Sequence, residues 1–225
     1  MNPVITKTII RSKRKTLGIE IGPDSSVIIR APENTSESTI DAVLRKKMLW
    51  IVQKQRLAPI VYKKSKSKEY VDGEGFLFLG ESYKLFISNN SGQPLVFNGK
   101  EFLLSSIHLL DAKKHFILWY KEQALTIITQ RAIHFANILG LNFQKITINT
   151  SSKRWGSCGY KGTLNFSWRL VMAPLKVVDY VVLHELTHLH ERNHTKLFWQ
   201  KIRLLLPDYE KQREWLKENG YLLMV

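Results

Sequence analysis

Residues 175–194 read LKVVDYVVLHELTHLHERNH, with Pro174 immediately before them. Proline suits the first turn of a helix, and Asn193 is a residue that tolerates the left-handed conformation closing one. The pattern therefore predicts a helix running from Pro174 to Asn193. On it His184 and His188 lie four residues apart, about 40° around the axis, so their imidazoles project side by side and can offer two nitrogens to one tetrahedral ion. Glu185 lies about 60° past His188, near the ligands but not aimed at the same point. A carboxylate so placed suits proton transfer from a water whose pKa zinc has lowered towards about 7.

A catalytic zinc takes three protein ligands and keeps one position open. His194, just beyond the expected break at Asn193, is the candidate third ligand. Four of the seven histidines fall within the eleven positions from His184 to His194. A following helix, begun by Thr195 and carrying Leu197, Phe198, Ile202 and Leu205 up to Pro207, is expected to fold back and hold His194 over the metal. The plain alternative for His184 and His188 is a pair of helix-surface histidines. His190, on another side of the helix, reads as a surface residue or one that supports a ligand from behind.

Outward from this motif the chain changes character. From about Leu109 to Leu139 the spacing is helical, with Phe116, Trp119, Tyr120, Leu125, Ile128, Ile133 and Phe135 as the apolar set and Gly140 as the stop. Lys145 to Asn149 and Thr163 to Arg169 alternate as strands, the second placing Leu164, Phe166 and Trp168 on one face. The stretch from Ser152 to Cys158 reads as the loop between them. Towards the N-terminus, Leu17 to Ile21 and Val27 to Arg30 flank a Gly22-Pro23-Asp24 turn. Ser38 and Asp41 resemble a capping box for a helix with Ile40, Leu44, Met48 and Ile51 inside, ended by Pro59. Lys63 to Lys68 forms a basic connector. Two hairpins follow, one around Gly80-Glu81 and one around Asn98-Gly99. The expected architecture is α+β: a basic, β-rich region with one helix over residues 1–105, then a catalytic region over 106–225.

The chain has 225 residues, 44% hydrophobic and 24% charged, enough for one sizeable core or two small ones. No apolar run reaches the roughly 20 residues of a membrane span, and the first residues lack the apolar core and cleavage site of a secretory signal. The single cysteine, Cys158, excludes an internal disulfide, and cytoplasm is the expected compartment. Of the net charge of +15, more than half lies in the first 70 residues. Such a field attracts nucleic acid without reading its sequence, and the bland alternative is solubility.

Three stretches carry a resemblance to the YgjP-like metallopeptidases, a family related to the SprT-like and WLM zinc proteases: RWGSC at 154–158, NFSWRLVMAPLKVVDYVVLHELTH at 165–188, and NHTKLFW at 193–199. Weaker agreement appears in GEGFLFLGESYKL and LPDYEKQREWLKENG. The resemblance implies a small zincin-type core that binds one Zn2+ per chain through His184, His188 and His194, with Glu185 as catalytic base. It further implies that the RWGSC hairpin packs beside the active-site helix as an edge strand to which a peptide substrate adds.

Arg154, Ser157 and Tyr180 are candidates for stabilising the oxyanion, against plainer roles as surface charge, turn residue and core. Trp155 lines the cleft or plugs the core. Cys158 approaches the metal or is a small buried hydrophobe. Asp179 supports a ligand histidine or is a solvated helix-face acid. Two other functions remain open: hydrolysis of a nucleotide phosphoanhydride by the same metal and base, and a nucleic-acid-binding module with a structural metal. The sequence leaves the oligomeric state undetermined.

Overall fold

The computed structural model describes residues 7–22, 24–64, 68–89 and 92–225; Met1 to Thr6, Pro23 of the first turn and residues 65–67 of the basic connector lie outside them. The chain forms two compact units, Met1–Lys66 and Ser67–Val225.

In the first unit, β1 (Lys7–Ser12), β2 (Gly18–Ile21) and β3 (Val27–Pro32) form a sheet in the order β1-β3-β2. The expected antiparallel pair is present, with Ile19 opposite Ile29. The strand β1, which the sequence reading missed, lies parallel to β3 on its other side. The pleat turns Val27, Ile29 and Ala31 inward against Ile40, Leu44 and Ile51 of α1 (Glu37–Lys64). The helix is capped by Ser36, whose hydroxyl accepts the Thr39 N–H at 3.2 Å, rather than by Ser38.

Pro59 does not end α1. A proline at 59 has no N–H for the Gln55 carbonyl four residues earlier. That carbonyl instead accepts the Ser25 hydroxyl at 3.0 Å, while Gln55 Nε2 donates back to the Ser25 carbonyl at 2.7 Å. With the orphaned acceptor satisfied from the β2–β3 turn, the helix runs on to Lys64. Lys13 and Lys15, in the β1–β2 connection, are exposed.

The second unit is mixed α and β. A four-stranded sheet, β4 (Gly75–Phe78), β5 (Glu81–Ser88), β6 (Leu95–Phe97) and β7 (Phe102–Ser105), has the order β4-β5-β7-β6. Both expected hairpins are present, β4–β5 and β6–β7. Asn98 closes the second, accepting the Lys100 and Glu101 N–H groups on its side-chain oxygen. The sheet packs its aromatic side chains on α2 (Ala112–Leu139), where Phe116 stacks on Phe76 at 4.0 Å and Trp119 meets Phe102 at 4.9 Å. The strands from β4 to β7 thus share one core with the helices that follow, and the compact units divide at 66/67 where the sequence reading placed a boundary at 105/106. The physical reason is burial: Phe76 and Phe102 have no exposed surface, and their rings pack on Phe116, Trp119 and Tyr120 of α2.

The buried face of α2 differs from the expected apolar set. Phe116, Tyr120, Ile128 and Phe135 are inside, but so are Ala112, Ala124, Ala132 and Ala136, while Leu125 and Ile133 are exposed. Small residues allow close approach to the helix packed on it. That helix is α3 (Leu175–Thr187), tied to α2 by Arg131, whose guanidinium donates to both oxygens of Asp179 at 2.5 and 2.9 Å. Its start is fixed by the β4–β5 turn: Leu79 and Gly80 donate to the Val171 and Met172 carbonyls. Gly80, at φ +90°, leaves space that a Cβ would take 2.9 Å from Pro174 Cγ.

A second sheet, β8 (Lys145–Asn149), β9 (Gly156–Cys158) and β10 (Thr163–Ser167), has the order β8-β10-β9, so β9 is an edge strand antiparallel to β10. The residue pattern read β9 as loop because it has three residues and no apolar alternation, whereas the family resemblance implied an edge strand at RWGSC. Two further helices, α4 (Lys196–Leu205) and α5 (Tyr209–Asn219), complete the unit. Among the described residues no helix is long and apolar enough to cross a membrane.

Candidate metal centre

The third helix ends at Thr187, six residues before the expected stop at Asn193. The Thr187 hydroxyl donates to the Leu183 carbonyl, the His190 and Glu191 N–H groups both return to the Thr187 carbonyl, and the Glu191 carbonyl turns to the His188 ring, 2.9 Å from Nδ1. Had the helix continued, the ten residues from His184 to His194 would have set the two about 15 Å apart along the axis. The early stop instead folds the chain back, and His194 Nε2 comes to 3.0 Å from His184 Nε2.

Thr195 then caps α4, accepting the Phe198 N–H on its hydroxyl as the sequence suggested. Phe198, fully buried, lies beneath all three histidines with ring centroids 4.9, 4.7 and 4.7 Å from those of His184, His188 and His194. Trp199 stacks on His194 at 5.4 Å and on Tyr209 at 5.2 Å. The sequence reading treated Phe198 only as helix core and assigned Trp199 no role. Their aromatic adjacency after the last histidine was the available signal.

One ring nitrogen from each of His184, His188 and His194 lies within 4.8 Å of the others, the sole such cluster of three potential ligands among the described residues. Burial, with His188 and His194 nearby, pulls the His184 pKa down to about 3, and burial lowers that of His194 as well. Both rings therefore stay neutral at physiological pH and keep a lone pair. His188, engaged through Nδ1 with a carbonyl, has its tautomer fixed so that the other nitrogen is free. Three imidazoles with no fourth ligand in the cluster among the described residues fit zinc with an open position. His190 is exposed, in accord with its reading as a surface residue.

Glu185 is 6% exposed, and burial raises its carboxyl pKa to about 7 although Arg154 pulls the other way. It faces β9 at Gly156. Two clefts meet there. One, of about 350 Å³, runs between Arg154, Trp155, Tyr180 and Arg213; the other, of about 300 Å³, runs between Ser157, Cys158, His188 and Arg192. Gly156, His184 and Glu185 line both.

The remaining candidates find mixed places. Arg154 is exposed at the mouth of the first cleft. Trp155 both lines that cleft and packs on the core, its indole fitting where Gly220 has no side chain. Tyr180 is 5% exposed, stacked with Tyr209, and borders the same cleft; burial pushes its hydroxyl up to about 12. Ser157 is a strand residue rather than a turn residue, because its carbonyl and hydroxyl both lie 3.4 Å from Asn165 Nδ2 across the ladder. Cys158 stays outside the ligand cluster, its Sγ 3.8 Å from an Arg192 nitrogen.

Asp179 meets neither expectation, being 8% exposed and paired with Arg131, and His184 Nδ1 is buried without a hydrogen-bond partner. Arg192 and Arg213 escaped the sequence reading. No spacing rule brings residue 213 to residue 185.

Comparison with known families decides the affiliation: the YgjP-like metallopeptidase domain matches residues 15–219. The chain belongs to the YgjP-like metallopeptidase family. The match spans most of both units. A crystal structure of the metallopeptidase zymogen of Pyrococcus abyssi abylysin is also similar, at 19% identity and TM-score 0.40, over 44% of this chain and 99% of that one. Among curated proteins, none matches the chain.

Proposed function

We propose that this YgjP-like chain is a zinc-dependent peptidase in which His184, His188 and His194 hold the metal and Glu185 is the catalytic base. The observation that carries the reading is the convergence of three imidazole nitrogens within 4.8 Å beside a buried carboxyl. Zinc, when bound there, lowers the pKa of a water and polarises a carbonyl. Glu185, with a pKa raised to about 7 by burial, is matched to taking a proton from the attacking water and passing it to the departing amine. The free edge of β9 offers main-chain groups to an extended peptide, which would lie past Gly156 and so past Glu185. Tyr180, protonated at neutral pH and bordering the cleft, is the donor we assign to the developing oxyanion.

The test is zinc content by mass spectrometry together with hydrolysis of an unfolded protein, for wild type, Glu185→Gln and His194→Ala. The expected result is one zinc in wild type and in Glu185→Gln, peptide cleavage by wild type alone, and zinc lost or much weakened in His194→Ala. Failure of wild type to take up zinc, or Glu185→Gln cleaving at the wild-type rate, would sink the proposal. Turnover of nucleoside triphosphates without peptide cleavage would move the chemistry to a phosphoanhydride.

A further inference from the structure

The two clefts share Gly156, His184 and Glu185 and diverge from there, so a chain laid along β9 enters both. The strand runs from Gly156 to Cys158, with Arg154 and Trp155 beyond its first residue. A peptide added antiparallel to β9, the commoner pairing in sheets, runs the other way. The residues before the cleaved bond then lie towards Cys158 and Arg192, and those after it lie towards Arg154 and Arg213.

The cleft on the Arg154 side has a particular chemistry. Its charged lining other than Glu185 is entirely basic: Arg154, Arg213 and Lys217. Lys217 is already engaged with Glu214 at 2.6 Å. Among the described residues, no carboxylate lies within ion-pair distance of Arg154 or Arg213. The Arg213 guanidinium instead sits over the Trp199 ring, 5.4 Å from its centroid. Stacking occupies the face of a guanidinium and leaves its N–H fork free for a carboxylate. Between the two arginines, Trp155, Val181 and Leu216 supply an apolar wall suited to a short aliphatic stem. The volume, about 350 Å³, is at the low end of the roughly 300–1,000 Å³ of small-ligand clefts.

We propose that this cleft is a subsite for a carboxylate carried by the segment after the scissile bond, gripped by Arg213 and Arg154. It rests on the peptidase reading and names its substrate class: peptides with an Asp or Glu side chain, or with a free C-terminus, just past the cleaved bond. A basic side chain there is repelled by both guanidinium groups, which makes the preference a matter of exclusion as well as attraction.

The test uses zinc-loaded protein and binding rather than turnover. Short peptides carrying an N-terminal-side hydroxamate, which anchors on the metal, present Glu, Gln or Lys to the cleft, each as the C-terminal acid and as the amide; dissociation constants are measured by calorimetry. In wild type the Glu peptide is expected to bind about tenfold or more tighter than the Gln peptide, with Lys weakest, and the advantage is expected to vanish in Arg213→Gln and shrink in Arg154→Gln while Arg213→Lys recovers part of it. An advantage confined to the C-terminal acid over its amide assigns the carboxylate to a chain terminus; one that persists in the amides assigns it to a side chain. Equal binding of Glu and Gln peptides in both the acid and amide series, with no advantage of acid over amide, overturns the proposal, as does a preference that survives both arginine substitutions. Because these readouts need no catalysis, an inactive protein that still shows the preference would count against the peptidase reading and leave the subsite standing.

Discussion

Gly156 and Glu185 are packed so closely that a Cβ on residue 156 would fall 2.7 Å from both Cγ and Oε1 of Glu185. The edge strand β9 and the carboxyl we assign as base are thus fitted to each other, and the missing side chain is what permits the fit.

Gly156→Ala is accordingly expected to displace the Glu185 carboxylate without touching the histidines. Glu185 is 6% exposed, so it has little room to move aside. Misplacing a catalytic group by about 1 Å costs on the order of 100-fold in rate. The variant should retain zinc, fold normally, and lose kcat by about that factor. A Gly156→Ala protein with wild-type kcat would show that Glu185 is not held by this contact.

The metal-free protein should carry a pH signature of the same residue. Burial holds the Glu185 pKa near 7 in the folded chain against an ordinary value of 4.5. The folded state then keeps a proton that the unfolded state has released, so unfolding free energy falls as pH rises from about 4.5 to about 7 and is level above that. Glu185→Gln removes this dependence. Urea denaturation of both metal-stripped proteins should show Glu185→Gln gaining up to about 3 kcal/mol on wild type between pH 4.5 and pH 8. Parallel curves across that range would mean that the carboxyl is solvated in the metal-free state.

The Arg131–Asp179 pair links α2 to α3 by two hydrogen bonds, with Asp179 8% exposed. Removing one partner leaves the other charge uncompensated, and Asp179→Ala should cost about 3 kcal/mol in thermal or denaturant unfolding. Arg131→Met combined with Asp179→Leu should recover much of that loss. Zinc affinity should change little, because the aspartate does not contact a histidine. A loss of 10-fold or more in zinc affinity would restore the view that Asp179 supports a ligand.

The amino-acid sequence by itself determined that two imidazoles meet on one helix face. A helical spacing of four brings His184 and His188 side by side whatever surrounds them, and a turn-and-cap signal at Asn193 and Thr195 announced that the chain would change direction before α4. The paired hairpins and both long helices were legible for the same reason, since period and turn residues act over a few positions. Other features depended on contacts distant in sequence. Pro59 is carried inside α1 because Ser25 satisfies the carbonyl it orphans, and α3 stops at Thr187 in a turn that presents the Glu191 carbonyl to His188. Alanines form the inner face of α2 because another helix lies close against it, a fact no hydrophobicity pattern contains. Above all, only the tertiary structure places Arg154 and Arg213 on one cleft with Glu185: β9, α3 and α5 are brought together by burying their apolar faces in a common core, and the charged residues at the rim are carried along by that packing.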